Sequence, residues 1–365
     1  MNEKKISQKQ LFFLIFQSQV GSGVLSLPFS VHKHTQSDGW ISILIAGMGI
    51  QLFLLLIWTL LWGFKGKNFY EITPIVFGKH LGKIINITYI TYFVLIMSVL
   101  ALRFANLLKK WILDYTPFSI LVLLLLVTGI YIGQNNLRVL ARFYTITTGL
   151  VILSMTLPWF SFLTNFQFSY LFPIGQSGLR NMVIGAHDAT MAMIGFELML
   201  VITPYIEGTY KQSFKSISLA NMLVTLLYVY FTVSCYLIFS PEEIRILPEP
   251  VLYMLKAVHF QWTERLDLIF LSIWIVPIST SFVTYLYLSS TGVASMFHKG
   301  DRKYPVWYLA LIVFLISLFF FSEFKIEQFE TYIFWGEYAF ILLIPFLTLL
   351  LSIVRKKFNY RSSGL

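Results

Sequence analysis

Residues 12–30 read FFLIFQSQVGSGVLSLPFS, and this stretch decides the fold. Its apolar length approaches the roughly 20 residues that a helix needs to cross the hydrocarbon of a membrane. Its centre, however, holds Gly21, Ser22 and Gly23, directly after a polar run at 17–19. Small residues with polar neighbours predict an unwound segment inside a membrane helix, whose freed N–H groups suit an anion such as a carboxylate. The alternative is close packing on another helix through small residues.

The composition of the whole chain also indicates a membrane protein. Of its 365 residues, 57% are hydrophobic and 12% are charged, about half the usual charged fraction of a soluble protein. We therefore predict an all-α integral membrane protein, a single membrane domain over residues 1–365 with ten transmembrane helices. The ten apolar stretches, named spans 1 to 10, are 11–31, 40–63, 84–108, 117–135, 141–163, 181–204, 217–239, 267–296, 305–321 and 331–354.

Lysines and arginines predict the orientation of these spans. When the loops are assigned to alternate sides, eighteen of the 27 basic residues fall on the side of the two termini and eight on the other. Basic residues accumulate in cytoplasmic loops, so we expect both termini in the cytoplasm. The net charge of +10 is thereby explained without nucleic acid as a partner, and membrane lipid surrounds the chain. The side opposite the termini is called the outer side below.

Two loops are longer than turns, and we expect some helix in each. Residues 63–83 predict a short interfacial helix, and residues 240–266 predict partly helical structure on the outer side. The single cysteine, Cys235, excludes an intramolecular disulfide and is expected to serve in packing. No phosphate loop, nucleophile motif or metal-ligand spacing is present, so neither an enzyme nor a cofactor is predicted.

Span 6, like span 1, carries glycine and polar residues where a membrane helix is expected to be apolar. Residues 181–207 read NMVIGAHDATMAMIGFELMLVITPYIE, with Gly195 and Glu197 at mid-depth. A carboxylate costs several kcal/mol in hydrocarbon unless it faces a polar interior. Glu197 is therefore expected to face the bundle centre, near a ligand, as a hydrogen-bonded structural group or as a proton carrier. His187 and Asp188 are expected close enough to the outer interface to be wet.

The two unusual spans lie five spans apart and run in opposite directions. This is the arrangement of a five-plus-five inverted repeat of the LeuT type, in which the binding site forms where the two helices are broken at the midplane. We place repeat 1 at about 10–163 and repeat 2 at about 181–354.

Span 8 contributes hydroxyls along about one face of a helix. Thr280, Ser281, Thr284 and Tyr285 follow at i, i+1, i+4 and i+5. They could orient a small polar ligand, or the serine and threonines could bond the carbonyls of their own helix four residues back. The sequence leaves both interpretations open.

Spans 3 and 10 carry further residues of interest. Ile96 lies near mid-depth in span 3, together with Tyr92 and Ser98. Arg103 is expected to extend its long side chain outward to the interface. Glu337 of span 10 is expected in water near the outer end.

Several motifs, in this order, resemble the B subunit of spore nutrient-germinant receptors, and the resemblance covers essentially the whole chain. They are GSGVLSLP at 21–28, DGW at 38–40, YEITPIVFGKHLGKI at 70–84, LKKWILDYTP at 108–117, IGFELML at 194–200, SPEEIRILPEP at 240–250 and ERLDLIFLSIWIVPISTSF at 264–282. That family is similar to amino-acid permeases of the amino acid–polyamine–organocation superfamily. The resemblance implies a subunit in the inner membrane of the spore that binds a small nutrient and triggers germination, with ion release as an early output. The helix start at the break in span 1 favours a nutrient with a carboxylate, hence an amino acid, and a sugar is the alternative.

The resemblance also implies partners and a pocket. The partners are a larger A-type membrane subunit and a C-type lipoprotein. The pocket would be formed by Gly21, Ser22, Gly23, Ile96, Ile194, Gly195, Glu197, Ser281 and Tyr285. Two other classes stay open: an active proton-coupled amino-acid permease, and an ion conduit within a larger complex.

Overall fold

The structure is a computed structural model, and it describes residues 5–163, 166–258, 265–297 and 301–357. Lys4, Lys299 and Arg361, which entered the charge count, lie outside these ranges. Within them the chain is almost entirely helical, and the only β-type contact is an isolated parallel bridge between Ile6 and Ile206.

Sixteen α-helices occupy the described residues. They are α1 Gln8–Gln19, α2 Gly23–Thr35, α3 Gly39–Gly63, α4 Phe69–Phe77, α5 Lys79–Trp111, α6 Phe118–Gly133, α7 Leu137–Ser154, α8 Gly178–Ala192, α9 Met199–Ile202, α10 Tyr210–Ile238, α11 Pro241–Ile244, α12 Pro250–Lys256, α13 Leu266–Met296, α14 Lys303–Phe319, α15 Glu323–Tyr338 and α16 Ile344–Val354. Short 3-10 helices flank α9 at Phe196–Leu198 and Thr203–Tyr205, and a π-helix at Ala339–Leu343 joins α15 to α16.

Each predicted span contains at least one of these helices. In the part of the chain that the structure describes, six helical segments qualify as membrane spans by length and hydropathy. A seventh qualifies when α8 and the bent segment after it are counted together. The helices α6 and α14 are apolar but shorter. The all-α membrane architecture is therefore confirmed, whereas the count of ten crossings and the repeat boundaries remain predictions.

Helix starts near the ends of the bundle are fixed by capping boxes. At α1, the Ser7 side chain accepts from the Gln10 N–H, and the Gln10 side chain accepts from the Ser7 N–H. Asn68 and Glu71 make the same reciprocal pair at α4, which confirms the short helix predicted in the 63–83 loop. Such pairs satisfy two of the N–H groups that a helix start leaves free. The outer 240–266 loop is partly helical as predicted, in α11 and α12.

The periphery of the bundle, which would face the lipid, carries large exposed apolar side chains. Met48 is 63% exposed, Leu52 66% and Ile146 76%. Backbone groups of these helices are bonded internally, as the hydrocarbon requires. Both features agree with a multi-pass membrane protein.

Inside the bundle, α13 packs along α5, while α8 packs against α2 and α3. Helix α1 lies between α10 and α7. This arrangement brings the ends of α1, α2 and α8 together beside the middle of α13. In span 5 the α-helix ends at Ser154, and a 3-10 helix at Leu157–Leu163 follows, so that span is less regular than its apolar run suggests.

Candidate functional site

Span 1 is broken where its sequence predicts. Helix α1 ends at Gln19, Val20 is extended (φ −92°, ψ 111°), and α2 begins at Gly23. The start of α2 has no side-chain cap, because Ser22 at the capping position makes no such hydrogen bond. An uncapped helix start presents N–H groups and the positive end of the helix dipole.

The carbonyls that this break frees are bonded by neighbouring helices. Ser281 Oγ donates to the carbonyl of Val20 at 3.0 Å, and Trp274 Nε1 donates to the carbonyl of Gly21 at 3.0 Å. Tyr228 of α10 donates to the carbonyl of Gln19 at 3.2 Å. Because donors from α13 and α10 replace the lost helical bonds, the unwound segment is a fixed part of the fold.

Span 6 is also broken, with a bend of 56° between α8 and the segment that follows it. Gly195 takes φ +121°, a conformation that residues with a side chain rarely adopt. A Cβ at this position would lie 2.1 Å from the carbonyl oxygen of Ser18. Glycine is therefore required here both by its backbone angle and by the close approach of the two breaks.

Two hydrogen bonds join the two breaks, and a third closes the break in span 6. Ser18 Oγ donates to the carbonyl of Gly195 at 3.1 Å, and Gln19 Nε2 donates to that of Met193 at 3.1 Å. The Gly195 N–H donates to Glu197 Oε2 at 2.7 Å. Glu197 also accepts from the hydroxyl of Tyr92 at 3.4 Å. The structural interpretation of Glu197 is thus supported: the carboxylate caps the break in its own span.

A cavity of about 470 Å³ extends from the two breaks to the outer ends of the helices. Its size lies in the range of small-molecule sites, roughly 300–1,000 Å³. Seven of the nine predicted pocket residues line it: Gly21, Ser22, Gly23, Ile96, Ile194, Ser281 and Tyr285. Gly195 and Glu197 do not line it, because they lie behind the wall, in the contact between the two breaks.

The hydroxyls predicted along one face of span 8 have two kinds of partner: Ser281 and Thr280 bond to span 1, whereas Thr284 bonds within its own helix. Ser281 serves the break of span 1, whereas Thr280 donates to Gln17 Oε1 at 3.2 Å. Thr284 donates to the carbonyl of Thr280 in its own helix at 3.0 Å, which is the four-residues-back alternative. The hydroxyl of Tyr144 completes this group with a bond to the same carbonyl at 2.6 Å.

Charged residues surround the outer part of the cavity, and most of them were not predicted. Arg103 does reach outward, and there its guanidinium donates to Glu330 of α15. His34 lies 3.5 Å from Asp188, which is partly exposed as expected. Four lining side chains from α15 and one from the residue before α12 were not predicted from the sequence; they are Glu327, Glu330, Thr331, Phe334 and Glu249. Their signal was the spacing Glu327, Glu330, Thr331, which places three polar side chains on one helical face.

The inner end of the bundle is closed. The N–H of Ile6 donates to the carbonyl of Tyr205, and the N–H of Glu207 donates to that of Ile6, both at 2.9 Å. Arg138 bonds the carbonyl of Lys5 at 2.8 Å and lies 3.3 Å from Glu207. The segment before α1 is thereby held against the end of span 6.

Glu337 contradicts its prediction. It was expected in water near the outer end, but it is fully buried. The helix that carries it begins at Glu323, ahead of the predicted start of span 10 at residue 331, so Glu337 lies about four turns into that helix and not near its outer end at the interface.

Comparisons with known proteins agree with this architecture. The chain resembles the crystal structure of MhsT in complex with L-phenylalanine, with a TM-score of 0.70 at 13% identity, over 100% of this chain and 94% of that one. Among curated proteins it is 26% identical to the spore germination protein GerQB of Bacillus cereus over 98% of both chains. It is 24% identical to the spore germination protein B2 of Bacillus subtilis (strain 168), over 98% of this chain and 97% of that protein.

A family model described as spore germination protein matches residues 5–326. The relatives that match are germination proteins and not enzymes. The chain therefore belongs to the spore germination protein family of permease-like membrane proteins.

Proposed function

We propose that this chain is the B-type membrane subunit of a nutrient germinant receptor and that it binds an amino acid in the cavity at the two breaks. The observation that carries the proposal is the pairing of the breaks: an uncapped helix start and a fixed, unwound backbone segment line one cavity. Family membership supplies the setting, which is germination of the spore.

The chemistry of the cavity suits a zwitterion. The uncapped start of α2 at Ser22 and Gly23 favours a carboxylate, because N–H groups and the helix dipole meet there. Farther out, Asp188 and Glu330 offer carboxylates that an ammonium group can approach. The apolar side chains of Ile96 and Ile194 would contact the side chain of the nutrient.

Binding produces a signal only if the nutrient favours one conformation of the subunit over another. The closed inner end, with the Ile6–Ile206 bridge, is one such conformation. In the proposal, an A-type membrane subunit and a C-type lipoprotein read the change in the inner membrane of the spore, with both termini of this chain in the cytoplasm.

A binding and flux measurement on the purified chain tests the proposal. The chain is reconstituted in liposomes and supplied with each radiolabelled L-amino acid in turn. The receptor predicts saturable binding of at least one of them without accumulation inside the vesicle. Concentrative uptake would instead favour the proton-coupled permease, and absence of binding to the whole panel would overturn the amino-acid assignment.

A substitution that fills the cavity tests the same proposal in spores. Gly21→Leu places a branched side chain beside Ser281, whose Oγ lies 3.4 Å from the position of a Cβ. We expect loss of nutrient-triggered germination at normal protein level. Gly49→Leu is the control, since no atom lies within 4 Å of a Cβ there. A normal nutrient response in Gly21→Leu spores would overturn the pocket assignment.

A further inference from the structure

A buried carboxyl group in span 10 plays no part in the cavity. Glu337 lies near the end of α15 and is fully buried. Neither of its carboxyl oxygens has a hydrogen-bond partner among the described residues. A buried polar group without a partner is costly, and an ionised one is far more costly. Its position therefore calls for a compensating ligand.

The backbone next to Glu337 forms a π-helix that is bonded to span 3. Directly after α15 the chain forms the π-helix at Ala339–Leu343. The hydroxyl of Tyr89 donates to the carbonyl of Phe340 at 2.6 Å, and the Phe340 ring stacks on Tyr92 with centroids 4.3 Å apart. A π-helix is rare and is found frequently at functional sites. The segment that carries Glu337 is thus fixed against the helix that also contacts Glu197.

The titratable groups that interact electrostatically with Glu337 come from three other spans and from its own helix. They are Glu197 of span 6, Tyr92 of span 3, Tyr285 of span 8 and the adjacent Tyr338. No lysine, arginine or histidine of the described chain is among them. If both Glu197 and Glu337 were ionised, their charges would have no basic partner among these groups. Two buried carboxylates that interact in this way repel each other strongly.

The two carboxyl groups differ in what their surroundings supply. Glu197 accepts from the Gly195 N–H and the Tyr92 hydroxyl, which are donors that stabilise a carboxylate. No described residue gives Glu337 such a donor. A proton on Glu337 removes its charge and turns it into a donor. The described residues hold no group of three or more His, Cys, Asp or Glu side chains that could bind a metal ion.

We propose that Glu337 and Glu197 form a proton-binding site behind the cavity, with the proton held on Glu337, the carboxyl group that lacks hydrogen-bond donors. The site is separate from the nutrient cavity, which neither glutamate lines. The proposal does not depend on what fills that cavity, so its failure would leave the proposed function untouched.

Infrared spectroscopy of the purified full-length chain in lipid nanodiscs tests the site. An un-ionised carboxylic acid has a carbonyl band distinct from that of a carboxylate, and it shifts in deuterated water. At neutral pH we expect one such band, which Glu337→Gln removes and Glu337→Asp retains. Glu323→Gln is the control, since Glu323 is an exposed residue of the same helix.

Three outcomes would overturn the proposal. They are absence of the band from the unmodified chain at neutral pH, persistence of the band in Glu337→Gln, and loss of the band when sodium or potassium chloride is added at constant pH. The first and third need no variant, so the test holds even if a substitution prevents folding. Loss of the band in Glu337→Gln alone, with indifference to both salts, supports a proton site.

Discussion

The two broken spans use their breaks differently. In span 1 the freed carbonyls are bonded by side chains of α13 and α10, while the start of α2 at Ser22 is left uncapped toward the cavity. In span 6 the break is closed by its own Glu197 and pressed onto Ser18 through Gly195. The break in span 1 leaves the N–H groups at the start of α2 available to a ligand, whereas the Gly195 N–H in the break of span 6 is bonded to Glu197.

This difference assigns different roles to two sequence features that look alike. Glycine next to polar residues occurs in both spans, yet Gly21 and Gly23 line the cavity and Gly195 does not. The break of span 6 supports the break of span 1 from behind. Substitutions in the two breaks should therefore separate stability from binding.

The largest effect is expected for Gly195→Ala. The new Cβ would lie 2.1 Å from the carbonyl oxygen of Ser18, and the backbone angle of φ +121° is strained for alanine. We expect a destabilisation of about 3 kcal/mol or more, visible as a lower melting temperature in detergent or as loss of the folded protein. Gly49→Ala, in open space, is the control. An unchanged melting temperature for Gly195→Ala would show that the two breaks do not press together.

A smaller loss is expected for Glu197→Ala, which leaves the Gly195 N–H without its acceptor. Leaving one buried donor unbonded costs about 1–3 kcal/mol. Glu197→Gln is the matched variant, because its amide oxygen can still accept, and we expect it to lose less. The measurement is thermal unfolding of both purified variants. Equal losses would mean that the charge of Glu197, and not its role as a cap, stabilises span 6.

The smallest effect on stability is expected for Ser281→Ala, which removes the donor to the carbonyl of Val20. The loss should be about 1 kcal/mol, together with weaker nutrient binding, because the unwound segment of span 1 is less firmly held. Ser279→Ala is the control on the same helix, since that hydroxyl bonds the carbonyl of Ile275 in its own helix. If both variants bind nutrient alike, Ser281 does not position the break.

Much of this architecture could be predicted from the sequence. Apolar length gives the spans, and the run from Gln17 to Gly23 gives the first break, because both depend on local residue types. The role of Glu197 could not be resolved in the same way. Its acceptor role depends on the turn that Gly195 makes, and the sequence allowed a ligand-facing carboxylate equally well.

The missed features depend on which face of a helix is turned inward. Glu330 and Glu337 lie seven residues apart in α15, so they share one face of that helix. That face is turned into the bundle, where Glu330 pairs with Arg103 beside the cavity and Glu337 is fully buried. Packing between distant spans, and not composition, decides such positions.

The central claim is that the break of span 1 lines a cavity open to the outer side, and cysteine accessibility tests it most directly. The chain has one cysteine, Cys235, which is fully buried and should not react, so the unmodified protein is the control. In Ser22→Cys, we predict reaction with a membrane-impermeant thiol reagent added to the outer side of oriented vesicles, and slower reaction when a bound amino acid is present. No reaction from the outer side, or reaction only from the side of the termini, would contradict the account.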